Sequence, residues 1–159
     1  MTRKNLQQLK IISGGQTGVD RGALDAAQAL GLPCGGWCPA GRLAEDGVIP
    51  LHYPVIELPG ADYRQRTLAN VLAADGTLII YYAYPEGGTE DTLRFCLEWC
   101  KPCLLIDAAE LDVARAAERI TEFLAGFAIG TLNVAGPRAS SAEQAHAYAK
   151  RSLLLCVRG

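Results

Sequence analysis

The chain has 159 residues, 50% of them hydrophobic and 20% charged, with a formal net charge of -2. That is enough for one domain whose core needs neither disulfides nor metal. The charge balance excludes a generic polyanion binder, which relies on many Lys and Arg contacts to phosphate, but leaves room for a local cluster around a small anion. The opening MTRKNLQQLK carries no apolar core of signal-peptide length, and no apolar run approaches the ~18 residues of a membrane span. A cytoplasmic protein with no nucleic-acid or membrane partner is expected.

In chain order, residues 9–13 read as a buried strand that runs into a glycine loop at Gly14. A helix over 20–30 follows, with Leu24, Ala27 and Leu30 on one face and Gly31 and Pro33 at its end. A short strand near 32–36 leads into a long irregular stretch, 37–60. A connection of that length is expected to carry function. A helix at 61–73 precedes the unbroken apolar run Thr77–Tyr82, the pattern of a strand buried on both faces of a parallel sheet. Thr89 is expected to cap a helix reaching Cys100, with Glu90 and Asp91 in its first turn. A strand at 103–106, an amphipathic helix at 111–124 and a strand at 131–135 come next. Ser140 and Glu143 have capping-box spacing and are expected to open the last helix. This alternation predicts an α/β domain spanning 1–159, a doubly wound, mostly parallel sheet in a three-layer sandwich.

Six cysteines are present. Cys96, Cys100 and Cys103 have the C-x3-C-x2-C spacing of some iron–sulfur sites, but Cys96 and Cys100 fall at i and i+4 beside Leu93 and Leu97. They are expected to be small core residues, with Cys103 opening a strand. Cys34 and Cys38 lack a second pair or a nearby His, so no zinc site is expected.

Three loops leave predicted strands at their carboxyl ends, the edge where open α/β sheets bind ligands. The first, Gly14-Gly15-Gln16-Thr17-Gly18-Val19-Asp20-Arg21-Gly22, combines close backbone approach with a helix N-terminus and an arginine that could pair with phosphate. It is neither G-x-G-x-x-G nor a Walker loop. The second is Tyr84–Thr89. The third, Asn133–Ser140, places Arg138 before a helix. The long stretch adds Trp37, Arg42, Glu45 and Asp46, and adjacent carboxylates are more often solvated or paired with Arg than catalytic. Arg66 and Asn70 are i, i+4 neighbours on one helix. His52 and His146 are too isolated to suggest a catalytic pair.

The segments IISGGQTGVDRGALDAA, GGWCPAGRLAEDGVIP, YRQRTLANV, GGTEDTL and NVAGPRAS resemble, in order and over nearly the whole chain, the putative molybdenum cofactor carrier family. The resemblance implies a Rossmann-like fold in the lysine-decarboxylase-like, nucleotide-ligand-binding superfamily, and assembly into homo-oligomers. The large apolar residues Phe95, Trp99, Tyr81 and Tyr82 would fit such assembly. By motif, the resemblance assigns ligand contacts to Gly14, Gly15, Thr17, Gly18 and Arg21, and to Trp37, Arg42, Glu45 and Asp46. It also assigns Arg66 and Asn70, then Gly87, Gly88 and Thr89, and finally Arg138. After Ser140 the chain has Ser141-Ala142-Glu143-Gln144 where the family usually has Pro-Gly-Ile-Tyr. The implied function is a carrier that shelters molybdopterin or a related phosphate-bearing, nucleotide-like ligand, with Trp37 shielding the ring, and passes it to molybdoenzymes. The alternatives are a hydrolase of nucleotide N-glycosidic bonds or a nucleotide-ligand sensor. The related hydrolases resemble P-G-G-x-G-T-x-x-E, and Thr92 stands where that motif's glutamate would be.

Overall fold

A computed structural model describes residues 3–159. A short helix α1 (Arg3–Leu6) leads into β1 (Lys10–Ile12), α2 (Val19–Leu30) and β2 (Cys34–Gly35). The following excursion holds β3 (Trp37–Cys38), a 3-10 turn (Ala40–Arg42), β4 (Leu43–Ala44), β5 (Gly47–Val48) and β6 (Ile56–Glu57). Then come α3 (Tyr63–Ala73), β7 (Gly76–Tyr81), α4 (Gly87–Glu98) and β8 (Cys103–Asp107). The chain ends with α5 (Val113–Gly126), β9 (Thr131–Ala135) and α6 (Ala145–Arg158).

The main sheet has five strands in the order β2-β1-β9-β7-β8, all paired in parallel. The last strand enters the centre, with Lys10 opposite Thr131 on one side and Gly76 opposite Leu132 on the other. This insertion positions the site. Because β1, β9 and β7 are adjacent and parallel, the three loops that leave them emerge side by side on one edge.

Helices cover both faces. On one, α6 packs against α2 and α5, and Leu78, Ile80, Leu132 and Val134 of the sheet meet Ala23, Ala27, Ile120, Leu124 and Leu153. Gly22 lets α2 and α6 touch, since a Cβ there would overlap the His146 carbonyl. On the other face α3 packs against α4, and Val71, Phe95 and Cys96 meet Ile79. The three-layer, doubly wound Rossmann-like architecture expected from the strand–helix alternation is therefore present, and β7 is buried on both faces because both layers of helices cover it.

The excursion at 37–60 is organised rather than irregular. It builds a separate core from Cys38, Ala44, Ile49, Tyr53 and Val55 against Leu24 of α2. Its strands form a parallel β3–β6 pair and an antiparallel β4–β5 pair. Two-residue strands are too short to show alternation in sequence, so the pattern was invisible. Arg42 holds the segment together: its guanidinium donates to the carbonyls of Ile49, Pro50, Tyr53 and Val55.

Several local expectations are corrected. Thr89 does not cap α4, which begins two residues earlier. Glu86 occupies the N-cap position without a side-chain bond, and Thr89 is buried in the first turn. Ser140 and Glu143 form no capping box, because α6 starts only at Ala145 and the Ser140 hydroxyl donates to Glu45. The capping box lies at α3, where Asp62 and Gln65 exchange bonds. Cys96 is buried as expected. Cys100 is exposed in the turn after α4, with φ 50°, because the helix stops at Glu98. Phe95 is a core residue, whereas Trp99 is 54% exposed. Among the described residues, no three His, Cys, Asp or Glu side chains converge as a metal-ligand set. No helix there is long and apolar enough to cross a membrane.

Candidate functional site

At the carboxyl edge of β7 and β9 lies a cavity of about 550 Å³, within the usual range for small-molecule sites. The first glycine loop and α2 contribute Gln16 and Asp20. Helix α3 contributes Tyr63, Arg64, Arg66 and Thr67. The end of β7 and the loop after it supply Tyr81, Tyr82, Tyr84 and Glu86, followed by Gly87, Gly88, Thr89, Asp91 and Thr92 of α4. The loop after β9 supplies Gly136, Pro137, Arg138 and Ser141.

The N-terminus of α4 opens on this cavity. Gly87 has φ 54°, and no atom lies within 4 Å of where a Cβ would stand on Gly87 or Gly88. The N–H groups of Thr89 and Glu90 return to the Glu86 carbonyl, while those of Gly87 and Gly88 have no backbone partner among the described residues. Free N–H groups and the positive end of a helix dipole attract an anion, and Arg64, Arg66 and Arg138 on the surrounding walls add charge of the same sign. Four tyrosines supply flat apolar surface beside them.

Burial sets the electrostatics of the deep wall. Asp20 is 5% exposed, and burial pushes its carboxyl above the ordinary value, partly offset by Arg66 and by the backbone N–H groups of Gln16 and Gly14. Arg66 Nη1 lies 3.7 Å from Asp20 Oδ2 and packs over Gly14, where a Cβ would overlap the guanidinium. Burial likewise raises the Tyr82 hydroxyl. Among the described residues four buried side-chain polar atoms lack a partner, and three of them, Gln16 Nε2, Arg66 Nε and Tyr82 Oη, belong to residues lining this cavity. Buried polar atoms normally find partners, and three of these four exceptions share this one wall.

The first glycine loop is placed differently. The N-terminus of α2 is filled by protein: Val19 N donates to the Pro137 carbonyl and Gln16 N to the Asp20 carboxylate. Gly18 has φ 80°, and a Cβ there would overlap the Pro137 carbonyl. Gly15 faces Ile49 and Val55 of the excursion. Arg21 donates to the Gly15 carbonyl and, bidentately at 2.6 and 2.8 Å, to Asp46. That pairing holds the Asp46 carboxyl below its ordinary range and raises Arg21. Glu45 accepts from the hydroxyls of Ser140 and Thr17 and from Ser140 N, and the Ser140 hydroxyl bond contributes most to lowering its carboxyl. Ala139 N in turn donates to Thr17. Asn70 brackets Trp37, accepting from its N–H and donating to its carbonyl.

The residues singled out in the sequence thus divide into two groups. Arg66, Gly87, Gly88, Thr89 and Arg138 line the cavity, whereas Gly14, Gly15, Thr17, Gly18, Arg21, Trp37, Arg42, Glu45, Asp46 and Asn70 fasten the excursion and the first loop around it. Sequence reasoning did not single out Tyr63, Arg64 or Tyr82 as site residues, and named Gln16, Asp20 and Glu86 only as members of the first two loops. The signal available was Tyr81-Tyr82-Ala83-Tyr84, a tyrosine cluster at the carboxyl end of the most buried strand.

Fold and cavity together define a Rossmann-like α/β protein with a ligand-binding role. Residues 11–157 match the circularly permutated YpsA SLOG family, and the chain belongs to that family. It is also similar to a crystal structure described as a putative molybdenum carrier protein from Syntrophus aciditrophicus SB. The TM-score is 0.90 at 44% identity, covering 92% of this chain and 93% of that one. No curated protein matches the chain.

Proposed function

We propose that the protein is a carrier that holds the molybdenum cofactor, or a related pterin or nucleotide phosphate, and passes it to molybdoenzymes. Its phosphate sits at the N-terminus of α4, and its ring lies against the tyrosines. The observation that carries this reading is the open N-terminus at Gly87 and Gly88, facing a cavity with Arg64, Arg66 and Arg138 on its walls. The carrier described from Syntrophus aciditrophicus supports the choice of cargo. The sequence points to a ligand between the first and second glycine loops, and this reading puts its anion at the second.

Gly88→Asp tests this reading. An acidic residue in the first turn of a helix favours the helix by roughly 0.3–1 kcal/mol, so the fold should survive, while its carboxylate repels a bound phosphate. Thermal shifts with AMP, a pterin phosphate and inorganic phosphate should appear for the wild type and fall by at least about tenfold in apparent affinity for the variant, roughly 1.4 kcal/mol. Undiminished shifts in a folded Gly88→Asp protein would place the anion elsewhere.

The hydrolase alternative requires a carboxylate at the glycosidic bond. Thr92 lines the cavity, but its hydroxyl donates to the Gly88 carbonyl, and a threonine cannot hold negative charge near neutral pH. Asp91, next to Thr92 in the chain, lines the cavity, as do Glu86 in the loop before α4 and Asp20 on the deep wall. We expect no release of free base from AMP, as followed by chromatography. Turnover that disappears in Glu86→Gln would replace the carrier reading with the hydrolase.

A further inference from the structure

We propose that Gln16 is the residue that selects the body of the ligand, by presenting a fixed hydrogen-bond donor to a carbonyl or ring-nitrogen acceptor on it. This rests on the reading of the cavity as a site for phosphate-bearing ligands, and extends it from the phosphate to the group attached to it.

The orientation of the Gln16 amide is determined by its neighbours. Its Oε1 accepts two backbone N–H groups, from Thr17 at 3.0 Å and from Glu45 at 2.9 Å. Turning the amide over would set its NH2 against both donors, so the oxygen must face them. The amino group is left on the other side. Gln16 is 7% exposed and lines the cavity, and its Nε2 is buried without a partner.

An amide that only needed to bridge two loops could have left its second half in water. Here the second half is withdrawn from water and unpaired, an arrangement that costs stability unless a partner arrives. The other unpaired polar atoms on the cavity walls, Arg66 Nε and Tyr82 Oη, have a donor hydrogen as well. The unpaired atoms on this wall thus all carry a hydrogen to donate, while the phosphate is met separately at α4. Sites built to hydrogen-bond a particular group discriminate strongly, because a ligand lacking that group leaves the buried donor unpaired.

The Glu45 bond gives Gln16 a second role. Glu45 N comes from the excursion at 37–60, whose carboxylate also binds Ser140 beside Arg138. Gln16 thus joins the excursion to the cavity wall.

The experiment uses the full chain with Gln16→Glu and Gln16→Met. The first keeps an oxygen for Thr17 and Glu45 but turns the donor into an acceptor; the second removes the donor, and with it the acceptor for Thr17 and Glu45, at similar length. Affinities for AMP, GMP, a pterin phosphate, adenosine, guanosine and inorganic phosphate are measured by calorimetry on protein shown to be folded by circular dichroism. The expected result is a loss of at least tenfold for the phosphate esters in both variants, with inorganic phosphate within about twofold of wild type in Gln16→Met. Esters bound equally by wild type and a folded variant overturn the assignment. So does an equal loss of esters and inorganic phosphate in Gln16→Met, which would make Gln16 a phosphate contact. If only the nucleosides bind the wild type and Gln16→Met loses them, the Gln16 assignment stands and the phosphate reading falls. A wild type that binds none of these probes overturns both.

Discussion

Gly18→Ala should destabilise the protein by about 3 kcal/mol, from backbone strain together with overpacking. Gly18 precedes α2 with φ 80° and ψ -129°, a region open in practice only to glycine. A methyl group there would also overlap the Pro137 carbonyl and come close to the backbone of Arg138 and Ala139. The obstruction is backbone, so no side chain can swing aside. At roughly 2–4 °C per kcal/mol for a domain of this size, the melting temperature should fall by roughly 6–12 °C. Gly31→Ala is the matched control. Gly31 ends α2 in the left-handed conformation with φ 67°, yet nothing lies within 4 Å of its missing Cβ, so only the conformational cost of about 1 kcal/mol remains. Urea denaturation of the two variants should separate the terms. Equal losses would mean that the first loop and the loop after β9 do not pack as described.

Arg66→Ala should cost about 3–5 kcal/mol at neutral pH, because it leaves a buried carboxylate without its cation. Asp20 is the carboxylate concerned; burial already lifts it above its ordinary value of 3.8, and Arg66 is the largest influence pulling it down. Without Arg66 the folded-state pKa rises further. An acid whose pKa is raised by folding holds its proton more tightly in the folded state. The resulting penalty is full above the folded pKa and fades as the pH falls towards the unfolded value, where both states are protonated. The gap between wild type and Arg66→Ala should therefore narrow steadily from pH 7 towards about pH 4. Adding Asp20→Asn to Arg66→Ala should recover part of the loss at pH 7. A gap that is independent of pH, or that widens in acid, would show that Asp20 is not the group Arg66 compensates.

The parts of this molecule that repeat a period were readable from sequence, and those that depend on a meeting of distant segments were not. The unbroken apolar run of β7 and the amphipathic pattern of α5 announced themselves because each is long enough for periodicity to accumulate. The position of β9 between β1 and β7 has no such local trace. Neither do the two-residue strands of the excursion, whose order comes from Arg42 reaching four carbonyls and from a small core against Leu24.

The site was legible in outline. Glycine-rich turns at strand ends pointed to the edge of the sheet where the cavity lies, but chemistry alone could not tell which glycines face the cavity and which serve packing. Gly18 and Gly88 look alike in sequence, yet one abuts a carbonyl and the other faces open space. Arg21 and Arg66 likewise share a residue type. Arg21 is engaged bidentately by Asp46, twenty-five residues along the chain, whereas Arg66 lines the cavity. The pairing of Glu45 and Asp46 with distant partners, rather than with each other's chemistry, follows the general tendency of adjacent carboxylates to be neutralised or solvated.

A crystal structure of the protein with AMP or a pterin phosphate bound tests the central claim most directly. The phosphate should lie at the N-terminus of α4, accepting from Gly87 N and Gly88 N with an arginine of the cavity wall beside it. Phosphate density against Gly14–Gly18 at the start of α2, with the cavity between α3 and α4 empty, would contradict the account.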